Sequence, residues 1–435
     1  MILTMNILKE VLNNEVYPAV GCTEPVACAY AAAVAAERLG VTVEHFDLKV
    51  DIGTYKNGAA VVVPCSDGAK GNVIAAAMGA MLARSDARLG LLKDAGPDHV
   101  ARARQLVDRG AYSYAHLPDA TDIRIEATVH GGGRWASCVL REGHANIESI
   151  VVDGKAVQRR EPDDAAASPT AYRKRLQAMS LSEILAAAVR VDDEDRRFLR
   201  EGVSMNLAMA ERGHSMQGAA GQLRRMREIG VLAEDLFYRV KVQVAAAVDA
   251  RMSGIPAPVM TSGGSGNQGV VAILVPYLVG QDRGIAEPRI LESIALAHVL
   301  NAYVKCFLGE LSVVCGCAVA AAVAAATAIV YQHEGARLDL ITSAVNNVVG
   351  DLSGLICDGA KPGCSMKTVS GVDAAMRAAF MAIEGFGIAA DDGLLGHSAE
   401  ESIRNLSRIT LEGMFPVDPT LAAILQEKAA RNERP

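Results

Sequence analysis

The sequence predicts an α+β protein: a mainly helical domain assembled from residues 1–42 and 171–435, interrupted by an inserted α+β domain, residues 43–170, that contains an antiparallel sheet. Apolar residues recur at helical spacing up to Leu39 and again beyond Ala171, whereas the stretch between them alternates and is broken by GGG, EGH and DGK turns. Composition adds a third observation. Only 7 Phe, 10 Tyr and 1 Trp accompany 40 Gly in 435 residues, so small side chains must fill the interior between closely approaching helices.

The first helix covers Met5–Val16, with Ile7, Leu8, Val11, Leu12 and Val16 on one stripe. Tyr17–Pro25 interrupts it. Val26–Leu39 then resumes as an Ala-rich helix whose start is marked by Thr23, Glu24 and Pro25, which puts Cys22 at or just before a helix N-terminus. HFDLKVDIGTY and VVVPCSDG follow in strand and turn character, then helices near Asn72–Ala83 and Pro97–Arg109. Strands at Ile123–His130, Trp135–Glu142 and Asn146–Val152 form a meander. Gln158–Thr170, polar and carrying RREPDD, reads as a linker. Helices follow at Ser182–Val191, Asp193–Gly202, Val203–Arg212, Arg224–Gly230 and Ala233–Met252, and continue to Ala429.

Fifty acidic against 43 basic residues leave a net charge of -7, and no Lys/Arg block is long enough to follow a run of phosphates, so nucleic acid is not an expected partner. Met1–Lys9 lacks a basic region and a small-residue cleavage site, which points to the cytoplasm. Leu311–Tyr331 is uncharged over the length that spans a bilayer. Its Ala content and lack of an aromatic belt predict a helix buried in protein and no membrane association.

Nine cysteines in a reducing compartment do not form a disulfide framework. Cys28, Cys65, Cys138 and Cys306 read as small buried hydrophobes. Cys315, Cys357 and Cys364 are different: the last two flank a Gly/Pro turn, CDGAKPGC, that brings both sulfurs to one side, and such thiolates commonly hold iron–sulfur clusters. The spacing matches no zinc or ferredoxin pattern, and a turn with incidental cysteines is the alternative. Cys317 is a rival or fourth ligand, although on a helix it points about 200° from Cys315. Three ligands on a four-iron cluster leave one iron open as a Lewis acid.

TSGGSGNQG, Thr261–Gly269, precedes a helix and collects backbone N–H groups suited to an anion. Ser262, Ser265, Asn267 and Gln268, aided by Lys56 and Asn57 of the KNG segment, form the densest donor set for such an anion, phosphate or carboxylate, with a tight interhelical turn and a surface turn as the alternatives. A helix N-terminus lowers a thiol pKa, which would make Cys22 a usable base or nucleophile, with structural burial as the alternative. His214 sits in a glycine-flanked loop and is the histidine most able to face a site. HExxH, GxSxG and GK[ST] are absent from the sequence, and no lysine stands out as a Schiff-base partner for pyridoxal phosphate.

GCTEPVACAYAAA, YKNG, SGGSGNQG, CGCAVAAA and GLICDGAKPGC, in this order, resemble the L-serine dehydratase alpha chain family, specifically its L-cysteine desulfidase branch. The resemblance runs from residue 6 to about 410 and includes IRNLSRI. It implies an oxygen-sensitive 4Fe-4S enzyme without pyridoxal phosphate that converts L-cysteine to pyruvate, ammonia and sulfide. It further implies Cys315, Cys357 and Cys364 as cluster ligands and Cys22 as proton acceptor. The six residues between Cys357 and Cys364 are fewer than in the iron-bound dehydratases, which favours the desulfidase branch. QHEG at Gln332–Gly335 stands where the family more often has an apolar double-glycine turn. A serine dehydratase and a non-catalytic iron–sulfur redox sensor are the alternatives, and the oligomeric state, a homo-oligomer included, is left open.

Overall fold

The computed structural model describes residues 6–120, 122–160 and 171–432. The chain runs α1 (Ile7–Glu15), β1 (Pro18–Val20), α2 (Thr23–Leu39), β2 (His45–Asp51), α3 (Ile52–Gly58), α4 (Asn72–Leu82), α5 (Pro97–Asp108) and β3 (Tyr112–Leu117). The meander follows as β4 (Arg124–Gly131), β5 (Arg134–Arg141), β6 (Ile147–Val152) and β7 (Lys155–Arg159). The helical region comprises α6 (Ala171–Ala178), α7 (Leu181–Ala188), α8 (Asp193–Gly213), α9 (Ala219–Glu228) and α10 (Leu236–Met252), then β8 (Pro258–Met260), α11 (Gly266–Asp282) and α12 (Glu287–Leu308). It ends with α13 (Ala320–Glu334), α14 (Leu338–Leu352), α15 (Cys364–Ile383), α16 (Ala399–Arg408) and α17 (Val417–Asn432).

The fold is α+β, as expected. Six strands form one sheet in the order β3-β2-β4-β5-β6-β7, antiparallel except for the parallel pair β2–β3, in which Leu48 lies opposite Tyr114. Strand β4 alternates in burial, so Ile125, Ala127 and Val129 face inward to meet α2. The expected linker lies, from residue 161 to 170, outside the described residues, and β7 occupies its first positions.

Buried side chains form two cores, one among the helices and one between α2, α4 and the sheet. Helix α2 corrects the expected division at residue 43, because its side chains pack with the sheet. An Ala-rich helix buried on nearly every face has no apolar stripe to announce which core it joins. Gly79 of α4 shows how closely the two helices lie: a Cβ there would fall 1.9 Å from the Ala29 carbonyl oxygen.

Three further expectations change. The strand expected through Tyr55 ends at Asp51, whose carboxylate accepts from the Thr54 N–H at 2.8 Å and caps α3. The two helices expected over Asp193–Arg212 are one, with Gly202 serving packing: a Cβ there would stand 3.2 Å from Met260. The uncharged run from Leu311 divides into an irregular segment and the 15-residue α13, whose residues Ala320–Gln332 are all buried. Among the described helices α12, 22 residues long, is the one long and apolar enough to cross a membrane, and 83% of its most apolar 18 residues are buried inside the protein.

Candidate active site

Two small strand contacts, far apart in sequence, assemble the cleft. Strands β1 and β8 pair antiparallel, Ala19 opposite Val259, and lay the start of α2 beside the glycine-rich loop. A bridge between Val314 and Ile356 does the same for the cysteine turns: the Cys315 N–H donates to Leu355 O at 2.8 Å and the Cys357 N–H to Val313 O at 2.6 Å. The resulting cleft is lined by Cys22, Glu24, Asn57, Ser265, Asn267 and Gln268, and by Cys315, Cys317, Cys357 and Cys364.

The glycine-rich loop is a tight turn. Ser262 and Ser265 exchange backbone hydrogen bonds at 3.0 and 3.1 Å, and Gly263 and Gly264 take φ of +55° and +68°, which only glycine adopts freely. Helix α11 begins immediately after it. Arg251 of α10 holds the junction, donating to Gly21 O and, at 3.0 Å, to Asn267 Oδ1. Gln268 is 6% exposed, and its Oε1 is buried with no hydrogen-bond partner among the described residues.

Cys22 is the N-cap residue of α2, as the sequence implies, but its thiol is not acidified. Burial and the neighbouring Glu24 carboxylate push it well above the ordinary thiol value. The neutral Sγ–H donates to Glu24 Oε2 at 2.8 Å. Asn57 Nδ2 donates to Glu24 Oε1 at 3.1 Å, and Cys357 Sγ donates to Asn57 Oδ1 at 3.8 Å. A continuous chain thus joins Cys22 to the cysteine turns. Burial works against the Glu24 carboxylate, yet His144, the Cys22 thiol and the Asn57 amide bring it below its usual value. Burial, with Lys305 and Arg173 nearby, holds His144 below the ordinary imidazole value.

Cys315 and Cys317 lie in the turn before α13, so the helical 200° separation does not apply and their thiols are hydrogen-bonded. That bond draws Cys315 down to about 7 and drives Cys317 well above the thiol range. Burial raises Cys357 to about 11 and also raises Cys364. Among the described residues no group of three His, Cys, Asp or Glu side chains is arranged around a single metal ion. A four-iron cluster binds each thiolate through a different iron and asks for wider spacing. Four soft donors on one wall, with Lys367 near Cys315 and Cys357 to offset thiolate charge, fit that group in chemistry.

Two expected substrate contacts lie elsewhere. Lys56, 1% exposed, pairs with Asp418 of α17 at 2.7 Å, and Ser262 Oγ meets His298 Nδ1 at 3.0 Å and Asn301 Nδ2 at 3.1 Å. His214 caps α8 away from the cleft wall. The sequence reading missed Glu24, His144, Arg251 and Lys305. His144 arrives from the β5–β6 turn of the sheet, read as a hairpin loop only, and Lys305 sits on α12 without a motif. Lys305 donates to Gly263 O and, at 2.6 Å, to Glu310 Oε2; burial draws it down to about 8 against the pull of Glu15.

A family model described as the serine dehydratase alpha chain matches residues 124–422. A UPF0597 protein of Geobacter sulfurreducens is 47% identical over 98% of this chain and 99% of its own length. Those of Elusimicrobium minutum and Caldanaerobacter subterraneus subsp. tengcongensis are 42% and 37% identical, over 98% and 97% of this chain and 100% and 98% of theirs. With more than half of its length matched by that model and relatives of this similarity along its whole extent, the chain belongs to the serine dehydratase alpha chain family.

Proposed function

We propose that the protein is a lyase that performs β-elimination on a small β-substituted amino acid, L-cysteine in preference to L-serine, yielding pyruvate, ammonia and sulfide. The observation that carries this reading is the hydrogen-bonded chain Cys22–Glu24–Asn57–Cys357, which joins the start of α2 to four thiols that line the cleft together with the glycine-rich turn. Cys315, Cys357 and Cys364 would hold a 4Fe-4S cluster, which supplies a Lewis acid to the departing sulfur.

The chain's own groups orient the substrate. The first N–H groups of α11 and the Ser265 hydroxyl face the cleft as partners for the carboxylate. The unpartnered Gln268 Oε1 accepts from the ammonium, which gives a buried orphan its hydrogen bond. Cys22, a neutral thiol bonded to Glu24, is a proton donor before it is an acceptor.

A second reading has one observation behind it. Lys305 beside the glycine-rich turn supplies the lysine that pyridoxal phosphate requires, although among the described residues no Phe, Tyr or Trp lines the cleft to stack on its ring. Air-free purification separates the readings. Iron and acid-labile sulfide in the protein, with sulfide and pyruvate released faster from cysteine than from serine, are expected. Full turnover without iron overturns the cluster assignment. An iron-loaded protein inert toward cysteine, serine and other small amino acids would instead be a sensor.

A further inference from the structure

We propose that Lys305, rather than Cys22, takes the Cα proton, and that Glu310 passes it to a second cavity behind the active cleft; this rests on the elimination reading above. Lys305 lines the cleft with the cysteine turns, and its side chain and that of Gln268 both approach Gly263. Its nitrogen has two acceptors, Gly263 O and Glu310 Oε2. In the neutral amine both remaining N–H bonds stay in these contacts, which leaves the lone pair for the cleft. Gly263 leaves room for this arrangement, since a Cβ there would lie 2.6 Å from Lys305 Cδ. Cys22 has no such freedom, because its proton is already directed at Glu24.

Glu310 is the outlet. It lines the cleft and also a larger cavity between α1, α6, residues 88–90 and the turn Glu142–Asn146. Its other oxygen meets Arg173, which in turn pairs with Glu15 at 2.8 Å. This fixes the carboxylate at the boundary between the two spaces. The Lys305 amine is accessible near neutral pH because burial outweighs the upward pull of Glu15, Glu24 and Cys306.

In the step itself, the Lys305 lone pair takes the Cα proton, the C–H electrons rest first on Cα, where a solvent deuteron can return, and they then form the Cα=Cβ bond. The Cβ–S bond breaks and HS⁻ leaves with its electron pair. Lys305 is then an ammonium, which returns its proton through Glu310. The aminoacrylate tautomerises, and water converts it to pyruvate and ammonia.

Exchange of Cα hydrogen in heavy water, followed by NMR on L-cysteine, L-serine and L-alanine with the iron-loaded full chain, reads this step even where no group departs. Lys305→Ala and Lys305→Arg should each slow exchange by about 100-fold at unchanged iron content. Ethylamine should restore Lys305→Ala by about tenfold and leave Lys305→Arg unchanged, which a purely structural lysine would not allow. Exchange by Lys305→Ala at the wild-type rate, failure of small amines to rescue it, or no exchange by the wild type with any of the three overturns the inference. Wild-type exchange without sulfide release refutes the desulfidase reading and leaves Lys305 in place.

Discussion

The Cys22 thiol, at the N-cap of α2, donates a 2.8 Å hydrogen bond to Oε2 of Glu24 in the first turn of that helix. The acceptor is held as a carboxylate by this thiol, His144 and Asn57, and the thiol is held neutral by burial and the carboxylate. A hydrogen bond to a charged group contributes about 1.5–3 kcal/mol. Cys22→Ala leaves Oε2 with the Thr23 hydroxyl at 3.3 Å and should lose stability in that range in urea unfolding, with turnover reduced about tenfold. Cys22→Ser keeps a donor and should retain both properties. A serine variant as inactive as the alanine variant would return Cys22 to the role of proton acceptor.

Within the CGC turn the two sulfurs differ in acidity. Cys317 donates to Cys315, which lowers the Cys315 thiol to about 7 while Cys317 is held protonated. Thiolates, not thiols, bind iron. Cys315→Ser should therefore lose most of the iron and acid-labile sulfide in air-free preparations. Cys317→Ser should keep iron and lose it faster in air. Equal iron in both variants would remove Cys315 from the ligand set.

The cysteine turns and the glycine-rich loop were legible because each is a local pattern of chemically unusual residues. The cleft unites Cys22, Asn57, Ser265, Asn267, Gln268, Cys315, Cys357 and Cys364. Lys56 was misjudged because its partner Asp418 lies 362 residues away, a separation that no spacing rule reaches. Ser262 belongs to the right loop but turns its hydroxyl toward His298 and Asn301, a direction set by φ at the following glycines. In the fold, the meander declared itself through alternating burial, whereas β7 is exposed at every position and carries no alternation to read. His144 and Lys305 reach the cleft through tertiary packing alone.

Lys56 and Asp418 form a buried clasp between α3, which carries Asn57 into the cleft, and α17 near the end of the chain. Their side chains are 0% and 11% exposed. Removing one member of such a pair strands the other charge at a cost of about 3–5 kcal/mol. Lys56→Met should lower stability by that amount, and the double change with Asp418→Leu should recover much of it. KM should change little in the double variant, because Lys56 lies behind the cleft wall. A double variant no more stable than Lys56→Met would mean that the pair is not coupled.

His298 makes stability depend on pH. Burial draws its imidazole from an ordinary 6.5 to about 3, with Nδ1 against Ser262 Oγ and Nε2 buried without a partner among the described residues. The folded chain refuses a proton that the unfolded chain accepts once pH falls below about 6.5. Because the folded value is the depressed one, the contribution is present above pH 6.5 and is lost as acidity increases toward 3. One such group contributes a slope of about 1.4 kcal/mol per pH unit in that window. Urea unfolding of wild type and His298→Met from neutral pH to about 4 isolates it, since the other carboxylates and His144 are common to both. The variant should start less stable by about 1 kcal/mol, the hydrogen bond to Ser262, and fall less steeply with acid. Parallel curves would place the proton uptake on a different side chain.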